Sequence, residues 1–526
     1  MKNWFASSAA AILAAAACLL APAARAGTPA DGTACLDRVD IACAQNALTG
    51  MADSAQATRF KAALAFHLGD FPEALRLLQS VGGTFGAEEA YQNDLAVYTA
   101  TVKSTRGFTT ERRGDVEIRY LPGTDVVLID DAFDVLQKAH DRIGKRLGGA
   151  PPGGVRMEIY PTADTFIGAS SLPAESVRKT GVVALSKWTR LLVTSPRALG
   201  RGYAWKDTIA HEYIHYVVAY QTGDRAPVWL QEGIARSHEV LWRTDTFEPM
   251  GVYAQSLLAE ALTTGEFVTL EEMHPSMAYL PSAAKAALAF AEVCSMVVHL
   301  ETTAGAGATR RVLAEVKNGA DALAAVSKVA GAADGEAFTA GWKASLGEMR
   351  LVKRKLDALP TVLGPPDDDF GIDPVLARRA DLAGHARLGD LLHDQSLNAA
   401  ALIEYRLAVD PDEPPSPLLS ARIARALMGL DRVDEAIRTL RESVADYPEF
   451  ATTRKDLGGL LLKQGATADA LDQYRASADI NPFDPDVQSA LAQLYTATGK
   501  TTLAERHRRY RQILLLGGPP PAGATR

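Results

Sequence analysis

Apolar residues recur at helical spacing on both sides of a Gly-Asp turn between residues 60 and 78, the texture of a helical hairpin. We read residues 27–110 as a helical N-terminal segment resembling one and a half repeat units. The period changes near residue 114. Val116–Tyr120 alternates apolar with charged residues like a strand, as does Val155–Tyr160, with a long helical pattern over 125–147 between them. Residues 181–185 and Arg190–Thr194 predict two more strands before Pro196. From Trp205 to about Leu356 the spacing is helical again. The pattern therefore predicts a small mixed sheet followed by helices over 114–356, one α+β unit in a mainly α chain.

Residues 357–379 are rich in Pro and Asp and read as a linker, so the segment beyond it is expected to hinge freely. After it a period of 34 residues emerges: Ala436, Ala470 and Ala504, Pro448 and Pro482, Gly465 and Gly499. That is the tetratricopeptide period, and Leu457, Gly458, Leu461, Ala470, Tyr474 and Pro482 fall on its expected positions. A looser copy carries Leu388, Gly389, Leu392, Ala401 and Tyr405. We read repeats over 380–515, an α-solenoid, and a Pro/Gly-rich disordered tail over 516–526.

Composition narrows the classes. The 526 residues are 47% hydrophobic and 22% charged, enough to bury cores in two to four domains and too apolar for a disordered chain. Net charge is −8 and no Lys/Arg block is present, which argues against a nucleic-acid partner. Residues 1–26 read as a cleavable signal peptide: Lys2, an apolar run over 9–20, and Ala24-Arg25-Ala26 before the cut. A lipoprotein site at Cys18 is the alternative, though Ala15 stands where Leu is usual. Its removal takes two cations and no acids, moving the charge from −8 to −10. No second segment reads as long enough to span a bilayer, so a periplasmic or secreted protein without a transmembrane segment is expected. In that oxidising context Cys35 and Cys43 are open to two readings, a disulfide or two small buried thiols, while Cys294 sits in an apolar run and reads as core.

His211-Glu212-Tyr213-Ile214-His215 is an H-E-x-x-H. On a helix, residues four apart stack on one face, so both imidazoles can reach one cation while Glu212 lies beside them to move a proton. Asp207 can cap such a helix and Gly223 can end it. Two histidines leave zinc one protein ligand short. A second helical segment follows, Pro227-Val228-Trp229-Leu230-Gln231-Glu232-Gly233-Ile234-Ala235, and its return can bring Glu232 back to the metal.

These two motifs resemble the gluzincin metallopeptidases, and more narrowly the bacterial peptidase MA-like family, whose members often carry tetratricopeptide partners. The resemblance covers about 115–350. It implies a zinc metallopeptidase with His211, His215 and Glu232 as ligands and Glu212 as general base, acting on a peptide or protein substrate by Glu-assisted attack of water. It also implies that Arg190–Thr194 is the edge strand receiving an extended peptide, although an internal strand fits its sequence equally. The Asp expected four residues after the glutamate ligand is Arg236 here, which leaves the residue orienting a zinc histidine unknown. Tyr253, Tyr279 and His238 are candidates for the oxyanion donor, and Phe290 stands where many relatives carry Tyr. The rival reading is a repeat scaffold or adaptor with a weakly active or inactive metallopeptidase domain, its repeats binding a protein partner. An aminopeptidase needs an acidic site for the substrate amine, and none is visible near Glu232.

Overall fold

The alternation around residue 116 places Val116, Ile118 and Tyr120 on one face of a strand and Glu117 and Arg119 on the other, and both faces are used. In the computed structural model, which describes residues 27–356, 376 and 379–518, five strands form one mixed sheet. They are β1 (Thr109–Arg113), β2 (Val116–Tyr120), β3 (Val155–Tyr160), β4 (Ala184–Lys187) and β5 (Arg190–Thr194), in the order β1-β2-β3-β5-β4. β2, β3 and β5 run parallel, and the hairpins at both ends are antiparallel. Two expectations change. β1 is a strand the sequence reading missed, because Thr109–Arg113 is polar and largely exposed. β5 is internal, paired on both sides, so the peptide-receiving edge cannot be Arg190–Thr194; the edge strand is β4.

The apolar face of the sheet packs on helix Val126–Lys138 and the π-helical turn Ala139–Gly144 that continues it, and on helix Trp205–Thr222, in one large core. The polar face receives the N-terminal hairpin, helices Ala55–His67 and Phe71–Ser80. The last carbonyls of a helix lack intrahelical partners. Here three sheet arginines supply them: Arg190 donates to Phe66 O, Arg156 to His67 O and Arg119 to Gly69 O at 3.2, 3.0 and 2.5 Å. Arg190 is fully buried, paired with buried Glu158 at 3.0 Å and covered by Phe66, Phe71 and Trp188. Cys35 and Cys43 are joined in a disulfide at the start of this segment, and Cys294 is buried.

Helix Ala283–Ala304 corrects another expectation, since by length and composition it could cross a membrane. Its Ala289, Val293, Val297 and Leu300 instead lie in the core with the sheet.

Four helical hairpins occupy the C-terminal part: Ala380–Asp394 with Asn398–Leu407, Pro417–Gly429 with Val433–Asp446, Ala451–Lys463 with Thr467–Ile480, and Pro485–Ala497 with Thr501–Leu516. The last helix runs through Leu516 to Gly517, so the tail read as starting at 516 begins later. The signal peptide over 1–26, nearly all of the linker over 357–379 and the tail from 519 lie outside the described residues.

The array does not swing from its linker. Tyr510 and Ile513 of the last helix join the same core as the sheet. Arg506 and Arg509 pair with Asp131 and Asp130 at 3.1 and 2.9 Å, Lys206 bridges Asp131 and Asp479, and Arg354 pairs with Asp446. Ile480 O accepts from Tyr203 N at 3.1 Å. A Cβ on Gly202 would lie 2.3 Å from that same carbonyl, so glycine is what allows this approach.

Candidate metal centre

Helix Trp205–Thr222 ends at Gly223 in the left-handed region (φ +63°), as a glycine C-cap allows. Asp207 does not cap its start; its carboxylate accepts from Trp242 Nε1 at 2.8 Å and pairs with Arg243, tying this helix to the end of the next. The chain turns at Asp224 and returns as helix Val228–His238, started by Pro227. Gly233 follows Glu232 for a steric reason: a Cβ there would sit 2.7 Å from Val293 O on helix Ala283–Ala304. Close packing of that long helix behind Gly233 fixes the face on which Glu232 projects.

The two helices bring His211, His215 and Glu232 together, with ligand-type atoms of all three within 4.8 Å of one another. The two Nε2 atoms stand 3.1 Å apart, and the Glu232 oxygens lie 3.4 Å from His211 Nε2 and 3.7 Å from His215 Nε2. Two imidazoles and a carboxylate at this spacing form the donor set of a catalytic zinc site with its fourth position free. The set fits a zinc ion.

His211 Nδ1 is 2.8 Å from Glu239 Oε2, and Arg236 Nη1 holds the other Glu239 oxygen at 3.0 Å. Glu239 therefore occupies the orienting role that the sequence left open, and Arg236 holds it. Sequence reasoning looked four residues past Glu232. A signal was present at seven, because residues seven apart return to the same helix face.

The electrostatics follow from burial against pairing. Burial disfavours the His211 cation, but the Glu232 and Glu239 carboxylates outweigh it and hold the imidazole up at about 10 in the metal-free protein. Burial also disfavours the Glu232 anion, yet His215 and His211 hold its carboxyl far below the usual range. Glu212 moves the other way. Its burial raises the pKa, opposed by the two histidines and by a hydrogen bond from the Ser186 backbone. An elevated carboxyl next to the donor set suits a group that accepts and returns a proton. Ser186 belongs to β4, so the edge strand grips the proposed base.

The oxyanion candidates separate. His238 is fully buried, with Nδ1 3.1 Å from Ile234 O and its ring against Phe247, and is a core residue rather than a donor. Tyr253 and Tyr279 both line the cleft that contains the donor set, as does Phe290; Tyr279 is 75% exposed. Tyr203, which the sequence reading passed over, donates from its hydroxyl to Thr194 O at 2.5 Å and is spoken for.

The cleft has a volume of about 2640 Å³. One wall is β4 with Trp188, the floor is the donor set, and the opposite wall is the repeat array, including Glu449, Phe450, Arg454 and Arg475. An extended segment of polypeptide fits such a trough; a folded domain does not.

Comparison with known proteins bears on the array. A tetratricopeptide-repeat family profile matches residues 422–485. DnaJ homolog subfamily C member 3 of Mus musculus and of Rattus norvegicus are each 30% identical over 118 residues, 22% of this chain and 23% of the relative. The chain thus spans about a quarter of the length of these curated relatives. Among solved structures, MamA is 19% identical, covering 27% of this chain and 82% of its own, with a TM-score of 0.23. YrrB, described as a TPR protein with an unusual peptide-binding site, is 15% identical over 27% and 76%, with a TM-score of 0.23. Residues 422–485 are tetratricopeptide repeats, and the C-terminal array is accordingly of a kind that serves protein–protein interaction.

Proposed function

We propose that this chain is an exported zinc-dependent peptidase whose repeat array recruits a protein partner or substrate. The family match supports only the partner-binding half, and taken alone it favours the second reading, a repeat scaffold or adaptor with a weakly active or inactive metal domain. The observation that supports catalysis is geometric. His211, His215 and Glu232 converge within 4.8 Å, with Glu212 buried beside them and Glu239 orienting His211. A scaffold requires none of these positions.

Zinc, when bound, supplies Lewis-acid polarisation of a carbonyl and acidifies a water. The chain's own residues do the rest. Glu212 accepts the proton of the attacking water and returns it to the leaving amine. β4, paired on one side only among the described residues, offers its free edge to an extended backbone. Because Ser186 of that strand holds Glu212, peptide and base share one support.

The test is Glu212→Gln, which keeps size and removes the carboxylate. Zinc content and fold should be retained while peptide hydrolysis falls by at least ~10²-fold. Should hydrolysis be unchanged or absent from the wild type, and only the array's surface matter in vivo, the scaffold reading replaces the enzyme.

A further inference from the structure

The first repeat hairpin is built like an internal one but has no hairpin before it. Gly389 and Gly458 are equivalent by contact, since a Cβ on either would meet the ring of the repeat's own tyrosine, Tyr405 or Tyr474, at 2.5 and 3.1 Å. That register aligns Leu388 with Leu457 and Leu391 with Leu460. Leu457 and Leu460 are 2% and 7% exposed because helix Val433–Asp446 of the preceding hairpin covers them, through a core containing Ile437 and Leu440. Leu388 and Leu391 are 44% and 54% exposed. They form the socket of a repeat interface without its helix, and a solenoid end normally carries a polar cap instead.

The occupant such a socket takes is a helix with an apolar stripe. The adjacent helix Asn398–Leu407 displays one, since Ile403 and Leu407, one turn apart, are 61% and 50% exposed. At the equivalent positions the second repeat has Arg438 and Glu442, which are solvent-compatible. One hairpin thus carries both an unfilled socket and an unplaced stripe.

We propose that this end of the array is a self-association face, on which the Ile403–Leu407 stripe of one copy fills the Leu388–Leu391 socket of a second copy, and the reverse. A two-fold contact makes each pairing twice, as an isologous interface requires. Side chains from one hairpin per copy give an interface near the low end of stable ones, about 1,200 Å² in total, so the dimer is reversible, with dissociation in roughly the micromolar range.

The test uses the full-length mature protein in sedimentation velocity across a concentration series. Wild type should pass from monomer to dimer, and Leu391→Glu and Leu407→Glu should each weaken dimerisation at least tenfold. Both positions are half exposed or more, so the melting curves should not move. Reciprocity is read separately by mixing Leu388→Cys with Ile403→Cys. A disulfide-linked dimer should form from the mixture and not from either variant alone, because Cys294 is buried and Cys35–Cys43 is already bonded. Wild type that stays monomeric to about 100 µM, whether the face is left bare or covered by other residues of the chain, overturns the proposal, as does a dimer indifferent to both glutamate variants.

Discussion

Glu239 provides the most discriminating perturbation of the metal centre, because it touches no metal and yet should govern how tightly one is held. Its carboxylate sits 2.8 Å from His211 Nδ1, is mostly buried, and is itself braced by Arg236. In Glu239→Gln an amide oxygen can still accept from Nδ1, but the charge is lost and the amide N–H₂ faces the Arg236 guanidinium. A charge-assisted hydrogen bond is about twice as strong as a neutral one, so the loss is about 1–1.5 kcal/mol. That corresponds to about tenfold weaker zinc binding. Glu239→Ala removes the partner altogether and leaves the ring free to turn, for which about 100-fold is expected, the upper end for such supporting residues. The assay is competition against a chromophoric chelator at neutral pH, with Glu212→Gln as the control that should bind zinc normally. An unperturbed affinity in Glu239→Ala, within about twofold of wild type and with the fold intact, would refute the orienting role.

Three further outcomes are expected. Thiol counting on the denatured, unreduced mature protein should find one reactive thiol, Cys294; three would mean the Cys35–Cys43 bond does not form. Gly202→Val places a side chain against Ile480 O at a positive-φ position, so it should loosen the array from the catalytic half and lower Tm, with the new proteolytic sensitivity concentrated near residues 357–379; an unchanged melt and digest would contradict the docking. Glu292 is buried, accepts from Val268 N, and burial raises its carboxyl to about 8. The folded state then binds more protons than the unfolded one between about 4.5 and 8, so stability falls as pH rises through that window. Glu292→Gln should accordingly raise Tm at pH 8 by an amount that shrinks towards pH 5, and a pH-independent difference would remove Glu292 as the cause.

What the sequence disclosed about this site was whatever depends on short-range spacing. His211 and His215 are four apart and Glu232 lies on the next helix, so a two-helix turn suffices to bring them together. Glu239 escaped because attention to a family pattern fixed one helical turn where this chain uses two. β2, β3 and β5 were legible from alternation, whereas polar β1 had no apolar face to announce it. Which of two neighbouring strands lies at an edge is set by pairing rather than by composition, and so β5 was misplaced. The docked array was least visible of all. Its interface is made of Asp130, Asp131, Lys206, Asp479, Arg506 and Arg509, side chains that read as solvated until the partner segment is in place.

That docking also sets an order of events in the life of the chain. Arg509 and Asp130, bonded in the finished molecule, are 379 residues apart. Contacts of such separation close late, because a long loop must be ordered before they repay it. A polypeptide emerging from its N-terminus presents the Asp130 face, and the start of the helix bearing His211, well before residues 506–513 exist to cover them. The half of the molecule made first is therefore completed last. For a peptidase in transit this is a timing device: the trough acquires its second wall only when the whole chain has arrived.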